Sequence, residues 1–351
     1  MNVSVLSDLY GALAAKRRRW YHRRPEARRQ LARPVVSVGA LTVGGSGKTP
    51  VVGYVAELLL ANGERPAVLS RGYRRTRPVD GVVVVRDPCA IRAGLAEAGD
   101  EPLMLARRLS GTSVLVSEDR YLAGRLAETR FDASVHLLDD GFQHLSLNRD
   151  VDLVVIGEAD VDESHTLPTG RLRERTETVR LADALVVEAK SMESATAIGK
   201  RLGVTTVFRL NRQLGAPRDA GSDPDTAAPV ALGARVLAVV GIARPTAFIA
   251  DLRRAGYDVA ATFEVQDHHA FSAHDVAEIM RRAESTGVDW VITTEKDMVR
   301  LVPHAPFGFP LVWVPLTVTI EPADGFRDWL LTSLMTARAT DVTGQLDASS
   351  T

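Results

Sequence analysis

The chain has 351 residues and a single cysteine, Cys89. No disulfide can form within it, which suits a reducing compartment. Cys89 sits in "RDPCAI", away from any basic motif that would activate a thiol. Long apolar runs are missing too, and no stretch approaches the roughly 18 apolar residues that span a bilayer. The N-terminus lacks the order of a secretory signal, because its basic residues follow its apolar ones. Net charge is only −1, so the chain as a whole has no electrostatic footprint for nucleic acid. No repeat recurs at a fixed period. What is present is ordinary for a globular protein: 45% hydrophobic and 25% charged residues, enough to bury a core. The length is comfortable for two domains.

The charge is unevenly placed. Residues 1–33 hold nine Lys/Arg against Asp8 and Glu26, so the remainder is net acidic. Within them Val3, Leu6, Leu9, Tyr10, Leu13, Arg17, Trp20 and Tyr21 recur at three- and four-residue steps, one face of a helix. An apolar stripe, two interfacial aromatics and a basic flank suit an amphipathic helix lying on an anionic membrane. A helix docked on its own core with solvated arginines would read the same way.

After Pro34 short apolar runs alternate with helical segments. The runs are "VVSVGA", "PAVLSRG", "VVVV", "SVLVS", "VHLLDDG", "DLVVIG" and "ALVVEA", with helices expected at 50–62, 101–109 and 119–130. The runs are continuous, not alternating. Strands buried on both faces read this way, so the sequence predicts an α/β fold with a mainly parallel sheet. Residues 213–228 are rich in Gly, Pro, Asp and Ala and read as a linker. A second α/β stretch follows, with "VLAVVGIA", "VAATFEV", "WVITTEKD", "LVWVPLTVTI" and helices at 245–255 and 272–286. The expected division is a basic helix at 1–33, a core at 34–212, the linker at 213–228, a smaller α/β domain at 229–336 and a disordered polar tail at 337–351.

Between the first strand and the first core helix lies "TVGGSGKT", residues 42–49. Strand, glycine-rich turn and helix is the context of a P-loop. Thr42, Val43, Gly44, Gly45, Ser46, Gly47, Lys48 and Thr49 would cradle a nucleoside triphosphate on inward backbone N–H groups. Lys48 would reach the outer phosphates and Thr49 would offer its hydroxyl to Mg²⁺. The strict pattern places glycine first, where this chain has Thr42.

Phosphoryl transfer also needs a metal site, cations and a group for the acceptor hydroxyl. "VHLLDDGFQH" ends an apolar strand with Asp139 and Asp140, whose mutual repulsion favours a cation between them. A plain Asp-Asp-Gly turn is the bland alternative. In "GDEP", Asp100 reads as an N-cap with Pro102 opening a helix. "VQDHHAF" places Asp267, His268 and His269 past a strand of the second domain, where a histidine could act as base, bind a metal, or stand solvated at a helix start. "TTEKD" fits a cap of Thr294 with Asp297. "SEDR" and "LPTGRLRE" are loops whose arginines could hold a second anionic group.

In this order, "SVGALTVGGSGKTP", "LSRGY", "GDEP", "LDDGFQH", "GRLRE", "DHHAF" and "TTEKD" resemble the tetraacyldisaccharide 4′-kinase family, the lipid A kinases of Gram-negative bacteria. The resemblance runs from the N-terminal helix to about residue 330. It implies a P-loop NTPase-like domain and a second, smaller α/β domain with the site between them. It implies transfer of the γ-phosphate of ATP to the 4′-hydroxyl of an acylated glucosamine disaccharide 1-phosphate, giving lipid IV-A, at the cytoplasmic face of the inner membrane. Lys48 and Thr49 match the phosphate and Mg²⁺ ligands, and Asp139 and Asp140 the acidic pair at the metal. Asp100 and His268 match a pair that activates the hydroxyl. Tyr73, Arg120, Gln143, His144, Arg173 and Glu174 match substrate positions around the cleft. Arg74, Arg171 and Gly157 depart from the family pattern. The resemblance implies an anionic membrane surface as partner through residues 1–33; no nucleic acid and no protein partner is expected. A soluble P-loop small-molecule kinase, a GTPase or an ATP-hydrolysing switch protein would share the P-loop. The GTPase would need a guanine-reading Asn, which "TTEKD" lacks, and a switch protein would not need His268.

Overall fold

A computed structural model describes residues 3–45, 47–220 and 226–348 of the chain. It opens with helix α1 (Val3–His22), then β1 (Val35–Gly39), α2 (Lys48–Ala61), β2 (Pro66–Ser70), β3 (Val83–Arg86), α3 (Leu95–Ala98) and α4 (Asp100–Arg108). Next come β4 (Ser113–Val116), α5 (Arg120–Phe131), β5 (Val135–Asp139), β6 (Val151–Gly157), β7 (Ala184–Glu188), α6 (Met192–Leu202) and β8 (Val207–Leu214). The chain continues through β9 (Arg218–Asp219), β10 (Arg235–Val240), α7 (Pro245–Arg254), β11 (Asp258–Glu264), α8 (Ala273–Thr286), β12 (Trp290–Thr294) and α9 (Glu295–Leu301). It closes with β13 (Leu311–Val314), β14 (Leu316–Glu321) and α10 (Ala323–Ala348).

Two sheets result. The larger has the order β14-β8-β7-β6-β1-β5-β2-β4-β3, and the smaller β11-β10-β12-β13-β9. Strands β1, β2, β4, β5 and β6 are buried along their whole length. That is why they read as unbroken apolar runs: helices cover both faces of a parallel sheet. β1 lies at its centre between β5 and β6, parallel to both. Loops leaving the carboxyl ends of β1, β2 and β5 therefore converge, as in open α/β sheets generally.

The C-terminal boundary differs from expectation. "LVWVPLTVTI" is two strands in different sheets, separated at Pro315. β13 pairs with β12 in the smaller sheet, whereas β14 runs antiparallel to β8 in the larger one. Burial explains the return. Val318 and Ile320 of β14, with Phe326, Leu330 and Leu334 of α10, belong to the main apolar cluster around β1 and α2. The smaller unit is thus an insertion between β8 and β14, and it ends before the expected 229–336 span does. The 213–228 linker also shrinks: Gln213 and Leu214 finish β8, Arg218–Asp219 form β9, and residues 221–225 lie outside the described part. β8 has no clear sequence signal because it mixes Arg209, Asn211 and Arg212 with its apolar residues. The tail expected to be disordered continues α10 as helix to Ala348, with residues 349–351 outside the described part. Arg338 ties that helix to the core by donating to Glu64 (2.7 Å) and to the Ser134 carbonyl (3.3 Å).

Helix α1 docks by its small and polar side. Ser7 and Arg18 are buried, and a Cβ at Gly11 would lie 3.3 Å from Thr166 Oγ1, so this side approaches closely. The opposite side leaves Leu9, Leu13 and Trp20 exposed at 55, 57 and 43%. The helix is packed on the body, yet its apolar stripe faces away from the core.

Candidate active site

The P-loop leaves the carboxyl end of β1. Gly44, Gly45 and Gly47 have φ of 73°, 57° and 75°, left-handed backbone that suits glycine and turns successive amides inward. Ser46 lies outside the described residues. Thr42, in place of the usual glycine, is buried and bridges to Leu172. Val43 N–H donates to the Arg171 carbonyl at 2.8 Å, and Arg173 N–H donates to the Leu41 carbonyl at 2.7 Å. The loop is thus stapled to the 167–174 segment. Arg171 also reaches Asp160 (2.9 Å), to which Arg244 of the smaller unit also pairs (3.2 Å).

Lys48, the first residue of α2, holds its Nζ 3.4 Å from Asp140 Oδ1. Asp140 has a left-handed backbone (φ 57°) and also pairs with Arg173. Burial pushes its carboxyl up, but Lys48 and Arg173 outweigh this and hold it below its ordinary value. Asp139 behaves oppositely. Burial, then the charges of Glu101 and Asp140, push it up to about 7. Ser70 Oγ donates to Asp139 Oδ2 at 3.2 Å, while Oδ1 is buried without a partner among the described residues. A buried, unpartnered carboxylate oxygen beside a second carboxylate fits a hard cation, which prefers oxygen ligands. Thr49 lines the same cleft. Among the described residues no group of three or more His, Cys, Asp or Glu forms a closed metal cage, so an ion here would share its coordination with phosphate and water.

His268 closes the cleft from the other side. It follows β11 with φ 63°, and its Nδ1 lies 2.8 Å from Asp100 Oδ2. Asp100 is not the N-cap of α4, as its sequence context predicted. Gly99 takes that place at φ 85°, and Asp100 is the first helical residue. A glycine accepts the required backbone, which frees the Asp100 side chain for the cleft. Burial pushes the Asp100 carboxyl up, but the His268 hydrogen bond and the charges of Lys296 and Arg300 win and hold it below its ordinary value. Tyr73 stacks edge-on against His268 with ring centroids 5.5 Å apart. Arg74, which departs from the family pattern, donates to the Asp267 carbonyl at 3.0 Å.

The other expected substrate residues divide. Tyr73, Arg120, Gln143, His144, Arg173 and Glu174 all line one cleft of about 1260 Å³ with the P-loop, Asp100 and His268. Arg120, at the start of α5, is buried, and burial together with Arg71 lowers its pKa. Gln143 is held by the Ala40 carbonyl (3.1 Å). Burial, then Arg120, Arg149 and Arg17, push His144 down to about 4, leaving a neutral imidazole in a cationic corner. Glu174 has both oxygens taken by Arg18 of α1, at 2.6 and 2.9 Å, so it anchors that helix and offers no free carboxylate.

Sequence reasoning missed Lys296. The cap of "TTEKD" is present, since Asp297 N–H donates to Thr294 Oγ1 at 3.0 Å. The lysine between them, however, turns into the cleft. Its Nζ lies 2.9 Å from Glu101 Oε1, 3.2 Å from Asp267 Oδ1 and 3.3 Å from His268 Nε2. The available signal was a lone lysine just past a strand's carboxyl end, in a segment otherwise explained by capping.

Comparison with known proteins gives one answer. The family model described as "Tetraacyldisaccharide-1-P 4'-kinase" matches residues 2–335. A tetraacyldisaccharide 4′-kinase of Geobacter metallireducens is 40% identical over 78% of this chain and 80% of its own length. One from Koribacter versatilis is 37% identical over 94% of this chain and 98% of its own. Among solved structures, that of LpxK from Aquifex aeolicus in complex with ATP superposes with a TM-score of 0.75 at 29% identity, covering 94% of this chain and 97% of that one.

Proposed function

The chain belongs to the tetraacyldisaccharide-1-P 4′-kinase family and is a kinase of lipid A synthesis; from that premise we propose how its cleft carries out the transfer and where the lipid comes from. ATP lies with its phosphates on the P-loop between Thr42 and Thr49. Lys48 and Arg173 draw off negative charge as the γ-phosphoryl group moves, and such electrostatic stabilisation supplies most of the catalysis of phosphoryl transfer. Asp139, Asp140 and Thr49 would hold Mg²⁺, which would supply positive charge to offset that of the phosphates. The 4′-hydroxyl of the disaccharide enters between Lys48 and His268. His268 takes its proton, and Asp100 orients the imidazole and stabilises the charge it gains. Arg120, Gln143, His144 and Tyr73 line the sugar and phosphate side of the cleft.

The observation that carries this reading is the 2.8 Å contact between His268 and Asp100. The two residues are 168 positions apart, on different units, and meet at the mouth of a P-loop cleft. A nucleotide switch has no use for such a pair. His268→Ala and Asp100→Asn should each lower kcat about 10²-fold or more, the share of a general base, with ATP binding retained. Unchanged kcat in both would remove the pair from the chemistry.

The substrate is a lipid, and α1 offers a route to it. Tyr10, Leu13, Ala14 and Arg17 of α1 line the same cleft, and the exposed Leu9, Leu13 and Trp20 continue that surface outward. No helix among the described residues is long and apolar enough to cross a membrane. The reading is peripheral contact of residues 1–33 with an anionic surface, at the cytoplasmic face of the inner membrane. Co-sedimentation with anionic vesicles should fall in Leu9→Ser/Leu13→Ser, and binding indifferent to that change would refute the route.

A further inference from the structure

Lys296 stands where the acceptor hydroxyl must come. A lysine ammonium has three donors and no acceptor. At 3.3 Å from His268 Nε2, it can be satisfied there only by a bare lone pair. The ring proton then sits on Nδ1, from which it is donated to Asp100 Oδ2 at 2.8 Å. We propose that Lys296 is a positioning residue for the proton transfer, holding His268 in the tautomer that presents an open Nε2 lone pair to the 4′-hydroxyl. This rests on the reading of His268 as the base.

The surroundings keep the lysine in that role. Burial works against its charge, but Glu101, Asp100 and Asp267 outweigh it and raise its pKa, so it stays an ammonium. Glu101 comes from α4 of the larger unit, and Asp267 from the loop of the smaller one. The ammonium is thus fixed by one carboxylate on each side of the cleft. Arg300 of α9 adds a second cation 3.9 Å from Asp100 Oδ2, and Tyr73 packs on the imidazole edge. When the lipid enters, its hydroxyl replaces the ammonium at Nε2, while Lys296 keeps Glu101 and Asp267. The hydroxyl proton passes to Nε2, the oxygen bonds to phosphorus, and ADP leaves with the former bridging oxygen. Lys296 neither gains nor loses a proton.

Two measurements on the full chain test this. The first is the ¹⁵N NMR signature of histidine in labelled wild type, assigned with His268→Gln. The expected spectrum has His268 protonated at Nδ1 and bare at Nε2; a proton on Nε2 would overturn the proposal whatever the variants do. The second is kinetics. Lys296→Met should lower kcat by about ten- to a hundredfold, the scale of a misplaced catalytic group, with KM for ATP and lipid nearly unchanged, and Lys296→Arg should restore part of it. A kcat within about twofold of wild type in Lys296→Met, or a change in KM alone, would count against the role. Because Lys296→Met could weaken folding, the same assays on Lys296→Met/Glu101→Gln remove the stranded carboxylate. If His268→Gln is also fully active, the base assignment itself has failed; if only the lysine variants are active, the failure belongs to Lys296.

Discussion

Replacing Arg18 with methionine should release α1 from the body. The Arg18 guanidinium is buried, pairs twice with Glu174 (2.6 and 2.9 Å), donates to the Phe142 carbonyl (2.9 Å) and lies 4.3 Å over the Phe142 ring. Methionine keeps most of the volume but leaves the Glu174 carboxylate buried and alone. Stranding one partner of a buried pair costs about 3–5 kcal/mol. At about 1.4 kcal/mol per tenfold, the open state of α1 becomes roughly 10²-fold to several thousandfold more populated. Hydrogen exchange of the α1 amides reads this directly, because exchange there reports local opening. Arg18→Met/Glu174→Leu should recover most of the protection, since a buried pair replaced by apolar residues is close to neutral. Exchange in Arg18→Met within about threefold of wild type would refute the anchoring role. If Glu174 were a substrate contact, protection would hold and only KM would move.

Other consequences are equally specific. His144, pushed down to about 4, lies below the roughly 6.5 of an unfolded histidine. Between those values the unfolded chain binds a proton that the folded chain does not, so stability falls as pH drops from about 6.5 towards 4. Denaturant midpoints at pH 7 and 5 should separate less in His144→Gln than in wild type. Phe326 is fully buried and meets Phe208 edge to face with ring centroids 5.0 Å apart, so Phe326→Ala should cost about 3–5 kcal/mol; a near-neutral effect in thermal unfolding would contradict the return of α10 to the main core. Asp139→Asn keeps the shape but removes the charge that the proposed Mg²⁺ site would use, so the Mg²⁺ concentration for half-maximal turnover should rise about tenfold or more. An unchanged Mg²⁺ requirement would move the metal away from Asp139.

Much of this was legible in the sequence because buried parallel strands leave little choice of residue. β1, β5 and β6 announce themselves as Val/Leu runs, and the glycines of the P-loop mark backbone that other residues avoid. Two kinds of feature were hidden. Pro315 looks like an irregularity inside one strand, because nothing local says that the chain changes sheets there. The partners of β14 and α10, Phe208 and the α2 face, lie far away in sequence. The roles of Glu174 and Lys296 were hidden for a related reason. Each has a complete local explanation, a basic loop or a helix cap. Only the meeting with Arg18 in one case, and with His268 and Glu101 in the other, reveals what the side chain does. Asp100 shows the same limit in reverse: Gly99 does the capping, so the carboxylate is free to meet a histidine from the other unit.

The most direct test follows ³²P from γ-labelled ATP with Mg²⁺ in detergent, with and without tetraacyldisaccharide 1-phosphate. Wild type is run beside Lys48→Ala and His268→Ala. Label should appear in the lipid with wild type and be lost with both variants. ATP hydrolysis without labelled lipid, indifferent to His268→Ala, would leave a P-loop protein whose acceptor is something else and whose second-domain histidine takes no part in the transfer.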